Sequence, residues 1–182
     1  MNRTTKTKIF LGASVLIGIL VHGSLKAQVI LPSGDITKIK SNGIDVMMLS
    51  TVIDLNNSHP IGTISFFKHN SSGAAEHLAF EVDDDYRPFL PLLSGADCAT
   101  SGVKVFHYGS VLRVAYATRK GSWSDKKGVT VQVFELTGNP EQAPGTPSLY
   151  FKEKKVFVTR KSYCDVNRAL ADEIPDLLKV SK

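Results

Sequence analysis

Between Ile36 and Thr159 the chain is built from short runs in which apolar and polar residues alternate, each closed by Gly, Asn, Asp or Pro. A period of two places one side-chain set on one face of a strand, and the closing residues are those that tolerate turn geometry. Such a texture constrains the fold more than any composition figure, because it favours antiparallel strands joined by hairpins, with one face buried.

Ile36 to Lys40 reads as a first strand, and Ser41-Asn42-Gly43 supplies a turn in which Asn and Gly accept positive φ. Ile44 to Leu55 follows, with Ile44, Val46 and Met48 on one face and Met47, Leu49, Thr51, Ile53 and Leu55 on the other. Both faces are largely apolar, which predicts a central strand. Ile61 to Lys68 and Glu76 to Val82 are expected to form a hairpin across His69 to Gly73. Asp83 to Gly102, with its acids, two prolines and Cys98, breaks the alternation and reads as a long ordered excursion with a helical turn, pinned by a disulfide. Strands resume at Val103 to Tyr108, Val111 to Thr118 and Val129 to Leu136. Leu149 to Thr159 is either one long strand or a tight hairpin around Lys152 to Lys155.

Only the end carries a helical period. Val166, Leu170 and Ile174 share one face, Asp165 can cap the start, and Pro175 should kink or end the helix. The predicted fold is mainly β: a single-domain antiparallel β-sandwich or barrel of about eight or nine strands with a C-terminal α-helix. An α+β two-layer arrangement, with that helix over one sheet, is the alternative.

Met1 to Ala27 has a different character. Arg3, Lys6 and Lys8 precede a 13-residue uncharged run, Ile9 to Val21, and a short exit ending at Ala27. The order of charge, apolar run and small residue is that of a secretory signal peptide, so the expected division is a signal over residues 1–27 and one β-rich domain over 28–182. The run is shorter than the roughly 20 apolar residues that a spanning helix needs, and no stable membrane span is expected after cleavage. Removal of Arg3, Lys6, Lys8 and Lys26 would lower the net charge from +5 to +1, because this segment holds none of the 17 acids. The remaining chain lacks the overall basic footprint of a nucleic-acid binder, so no nucleic-acid partner is expected.

Export to a periplasmic or extracellular compartment would let Cys98 and Cys164, the two cysteines of the chain, form a disulfide. They lack zinc-ligand spacing and do not form a C-x-x-C pair. Other signs of chemistry are weak. His59, His69, His77 and His107 match no metal motif, although His69 and His77 could face each other across the expected hairpin. Asp83, Asp84 and Asp85 are adjacent, whereas a calcium loop alternates its acids. No nucleophile elbow is present. Neither a metal site nor a cofactor is expected, and the reading leans away from an enzyme.

The most suggestive segment is Arg119 to Gly128, which links two strand-like runs and carries Trp123, the single tryptophan, between Arg119, Lys120, Lys126 and Lys127. An amphipathic aromatic ring beside cations suits a partner-binding surface, and Arg119, Trp123, Lys126 and Lys127 are its candidate residues. The expected partner is another protein or an anionic envelope component. A second basic cluster, Lys152, Lys154, Lys155, Arg160 and Lys161, suits a solvated strand edge. Together these features predict an exported, non-catalytic protein-binding domain, such as an inhibitor, an immunity factor or an envelope-complex subunit. The alternatives are a small exported hydrolase acting on envelope or extracellular polymer, with a pocket near Asp83 to Gly102, and a ligand-carrying barrel.

Overall fold

The computed structural model describes residues 28–30, 35–56, 59–95 and 97–179, so the expected signal peptide lies outside the described residues. The described chain starts with β1 (Gln28–Ile30). β2 (Ile36–Ser41) and β3 (Ile44–Ile53) then form a hairpin. Asn42 and Gly43 join them at φ 47° and 79°, the left-handed pair that a type I′ turn requires. β4 (Ile61–His69) pairs along β3, which leaves β3 between two neighbours. Val46 and Met48 face the core, whereas Met47 and Leu49 on the reverse face stay half-buried, because among the described residues no further layer covers that side.

The run from Glu76 to Val82 does not form one strand against β4. It splits into β5 (Ala75–His77), which pairs with β4, and β6 (Phe80–Val82), which belongs to the other sheet. Leu78, Phe80 and Val82 are all buried, so the side-chain alternation persists while the backbone changes partner. The change occurs at Ala79, whose carbonyl accepts the Phe151 amide at 2.8 Å. Alternation reports which face is buried and not which strand lies alongside.

The excursion is ordered as expected, but through short strands in place of the helical turn. β7 (Asp85–Arg87) folds back on β6, with Asp83 and Asp84 at φ 52° and 61° making the turn. The acidic triplet is therefore used as turn chemistry, which Asp tolerates. β8 (Leu90–Leu92) then pairs with Gly62 to Ile64 of β4, beside β5 on the same edge. β9 (Ser101–Tyr108), β10 (Val111–Thr118), β11 (Thr130–Gly138) and β12 (Leu149–Val158) follow as antiparallel neighbours. β12 is one strand, with an irregularity opposite Val133 and Phe134 in place of the alternative hairpin. The two sheets have the orders β1-β9-β10-β11-β12-β6-β7 and β2-β3-β4-β5, with β8 joined to β4.

α1 (Val166–Lys179) continues through Pro175, so the helix does not stop there, which was one of the two outcomes expected of that proline. Proline lacks the amide that would reach Ala171, and Val166, Ala169, Leu170 and Ile174 are fully buried on the preceding turns. The Asp165 carboxylate caps the helix by accepting the Asn167 amide at 2.7 Å.

The result is a mainly β sandwich with the helix as a third layer. Between the sheets Phe66, Phe80, Phe134 and Phe151 form an aromatic cluster, with Phe80 stacked on Phe151 at 4.8 Å and edge-on to Phe134 at 5.2 Å. On the opposite face of the larger sheet, Ala115, Ala117, Val131 and Val133 pack under Val166, Leu170 and Ile174. Ala at two of these positions lets the helix lie close. Lys104 is buried on this side and donates from Nζ to the Leu170 carbonyl at 3.0 Å, and burial lowers its pKa.

Candidate binding surface

The linker between β10 and β11 is long, and the structure shows what orders it. Arg119, at its start, does not join the outer surface. It is only 5% exposed, and its guanidinium donates to three backbone carbonyls: Cys164 at 2.9 Å, Ser122 at 2.8 Å and Trp123 at 3.0 Å. A fixed fork of donors can serve three acceptors at once, which an ammonium group does less well. Arg119 thus acts as a brace for the loop, where the sequence had suggested a contact cation.

The tip closes on itself. Asp125 accepts the Ser122 amide at 3.2 Å and pairs with Lys127 at 3.3 Å, and hydrogen bonding from Ser122 first and Lys127 second holds its carboxyl below the usual range. Lys127 also exchanges two backbone hydrogen bonds with Tyr163, which ties the loop to the segment before α1. Tyr163 is buried there, and its pKa is pushed up to about 12 by desolvation and by the charges of Glu173 and Asp172.

Trp123 is held at one face and open at another. The indole lies so close over Gly95 that a Cβ added there would meet its ring atoms at 2.3 to 2.8 Å. His59 stacks on it with ring centroids 5.6 Å apart and planes inclined by 11°. Trp123 nevertheless remains 42% exposed. Gly95 itself is positioned by a small hairpin in which Ser94 bridges Ala99 and the Gly95 amide reaches the Cys98 carbonyl at 3.0 Å. The Cys98–Cys164 disulfide, with Cα atoms 5.7 Å apart, joins that hairpin to the residue before the helix cap, and the Val166 amide bonds the Ala99 carbonyl at 3.1 Å. Three segments distant in sequence therefore meet under one indole.

Gly95→Ala is expected to expel the ring from this seat, since the added carbon has no room. The tryptophan emission maximum should shift to longer wavelength and the near-ultraviolet circular dichroism of the indole should weaken. A variant with an unchanged spectrum would mean that the loop yields without moving the ring.

Two clefts flank the loop. One, of about 290 Å³, lies between the sheets and is lined mostly by Val52, Pro60, Leu92, Leu93, Ala99 and Asn167. It adjoins the indole, because His59 and Gly95, which carry the ring, are the chain neighbours of Pro60 and Ser94 in its wall. Val52 and Leu93 leave apolar surface open to solvent there. The Asn167 Oδ1 is buried against Gly102 without a hydrogen-bond partner. The second cleft, of about 350 Å³, gathers Lys126 with Lys161 and Arg168 around Tyr163 and Cys164, with Asp165 and Asp172 among the lining.

Of the four candidate contact residues, Trp123, Lys126 and Lys127 are therefore on the loop surface and Arg119 is beneath it. Sequence reading did not join Lys126 to Lys161 or notice Arg168, because the turn that brings them together is set by the Lys127–Tyr163 bridge. His59 was also missed, since nothing in its neighbourhood in sequence marks it as a partner for Trp123. His69 and His77 do not meet: His69 bonds the Gly73 carbonyl at 3.0 Å, and His77 lies against the Phe67 ring at 4.3 Å. Among the described residues no group of three or more His, Cys, Asp or Glu could hold a metal ion, and no helix is long and apolar enough to cross a membrane.

Fold and surface together define a class: a β-sandwich with a packed C-terminal helix and a disulfide-supported aromatic loop. Residues 34–172 match the family described as carbapenem resistance protein CarG-like, and the chain belongs to that family. The fold is similar to the crystal structure of CarG, with a TM-score of 0.67 and 16% sequence identity, covering 80% of this chain and 94% of that one. No curated protein matches the chain. The disulfide and the family are both consistent with an exported protein.

Proposed function

We propose that this chain is an exported, non-catalytic binding protein that supports carbapenem resistance by engaging a protein of the cell envelope. The half-exposed Trp123 carries the reading, because the indole is packed over Gly95 and stacked on His59 and still leaves surface to solvent beside an apolar cleft. A rigid aromatic ring loses little side-chain entropy on binding and suits the centre of a contact patch. Lys126 and Lys127 at the rim would steer an acidic partner surface toward it. The family description supplies the link to carbapenem resistance.

The test is expression with the native leader in a carbapenem-sensitive host. The wild-type chain should raise the drug concentration that the host survives while purified protein leaves the carbapenem intact by mass spectrometry. Trp123→Ala combined with Lys126→Glu should abolish protection at equal protein level. Its stability cost should stay near 1 kcal/mol, because the Trp123 carbonyl that binds Arg119 is retained. Drug hydrolysis by the purified chain, or full protection by the double variant, would remove this reading.

A further inference from the structure

The larger sheet is unfinished along β12. Strand β6 pairs with β12 at Phe151, through its register with Phe80, and runs on in parallel to Val82 beside Lys152 and Glu153; among the described residues no strand is paired with Lys154 to Val158 on this side. The opposite edge of β12 is used by β11 along its length, apart from Lys154 at the register shift opposite Val133 and Phe134. The Thr159 amide points toward β11, where it reaches the Val129 carbonyl at 2.9 Å, so alternation turns the backbone groups of Val158 and Val156 outward. Those same residues expose apolar side chains, Val156 at 49% and Val158 at 62%. They stand opposite Gln132 and Thr130, which alternate along β11 with the helix-facing Val131 and Val133. Their side chains therefore lie on the face turned toward the second sheet, at a place that sheet does not reach.

Charge decides what fits there. Lys152, Lys154, Lys155, Arg160 and Lys161 are all exposed along or just beyond this edge. Glu153 is the acid among them, and it is engaged by the Gln132 amide at 2.7 Å. Two copies of this edge pairing antiparallel would bring lysine against lysine, which opposes self-association. An acidic strand meets no such penalty.

We propose that the open edge of β12 from Lys154 to Val158 is a strand-addition site for an extended acidic segment of a partner protein, with β-branched residues set against Val156 and Val158. Main-chain hydrogen bonds would supply affinity, and the cations and the two valines would select sequence. This edge adjoins the Trp123 loop, since Lys161 also lines the cleft with Lys126, but its main-chain pairing does not involve Trp123, so either reading can fail without the other.

The probe is a capped heptapeptide alternating glutamate with valine, offered to the oxidised protein and followed by fluorescence anisotropy and amide hydrogen exchange. Binding should slow exchange at Val156 and Val158. Val156→Pro removes an outward amide that has no partner within its own sheet, so the ladder with β11 is kept. It should weaken binding by about tenfold or more, as should Lys152→Glu with Lys155→Glu. A peptide N-methylated at alternate residues should not bind, and Trp123→Ala should leave binding unchanged. Absence of protection at Val156 and Val158 with millimolar peptide would overturn the proposal. So would equal binding of the N-methylated peptide, which would indicate adsorption by charge alone. Dimerisation of the free protein that Val156→Pro abolishes would assign the edge to a second copy instead and would equally overturn it.

Discussion

Replacing Cys98 and Cys164 by serine should destabilise the oxidised protein by about 4 kcal/mol, because the bridge closes a loop of 66 positions and chain-entropy cost grows with that length. For a chain of this size the thermal midpoint should fall by roughly 10 °C. The loss should not be uniform. The bridge holds the hairpin carrying Gly95 to the start of α1, so the seat of Trp123 should loosen before the sandwich core melts. Circular dichroism at a sheet wavelength and tryptophan emission, followed together during heating, should show two separated transitions in the double-serine variant and one in the wild type. A midpoint within a degree or two of the wild type would show that backbone bonds alone carry this corner.

Arg119→Ala should cost about 3 kcal/mol, the second-largest effect expected. The substitution leaves the carbonyls of Cys164, Ser122 and Trp123 without their charge-assisted donor, and little room exists for water to replace it at a residue 5% exposed. Arg119→Lys should recover only a minor part, because one ammonium group lacks the planar fork that spans three acceptors. Denaturant titration measures the stability, and hydrogen exchange at residues 122–124 reports whether the loop opens locally. A lysine variant as stable as the wild type would show that charge and not geometry holds the loop. The result also bears on the binding reading, since a loose loop presents Trp123 with more entropy to lose.

The two substitutions probe features of different legibility. The disulfide could be read from the chain, because an apparent export leader and a pair of cysteines suggest a bridge without any knowledge of the fold. The brace could not. Arg119 stands next to Lys120 in a run of cations, and nothing local separates an arginine that turns inward from one that stays in water. What separates them is the position of Cys164, 45 positions away, whose carbonyl lies within reach only after the helix start has docked. The same holds for the indole. Its location on a loop was plain, but its seat on Gly95 and its stacking against His59 depend on three loops converging.

Strand edges behave in the same way. The alternation of Leu78, Phe80 and Val82 correctly marks a buried face, and the backbone beside it nevertheless moves from β4 to β12 at Ala79. Pro175 shows the converse, a strong local signal for a helix end that the packing of Val166, Leu170 and Ile174 overrides.

By itself, the sequence determined the mainly β character, the turn at Asn42 and Gly43, the cap at Asp165 and the buried face of α1. Each of these is a matter of neighbours within a few residues, where side-chain period and backbone preference act directly. Tertiary structure alone decided how strands beyond the short hairpins lie side by side, that among the described residues β12 has an open edge, that Arg119 turns inward, and that Lys126 meets Lys161 and Arg168. Those outcomes depend on contacts between residues far apart in the chain, formed only when apolar faces from distant segments close on one another, and no local pattern encodes them.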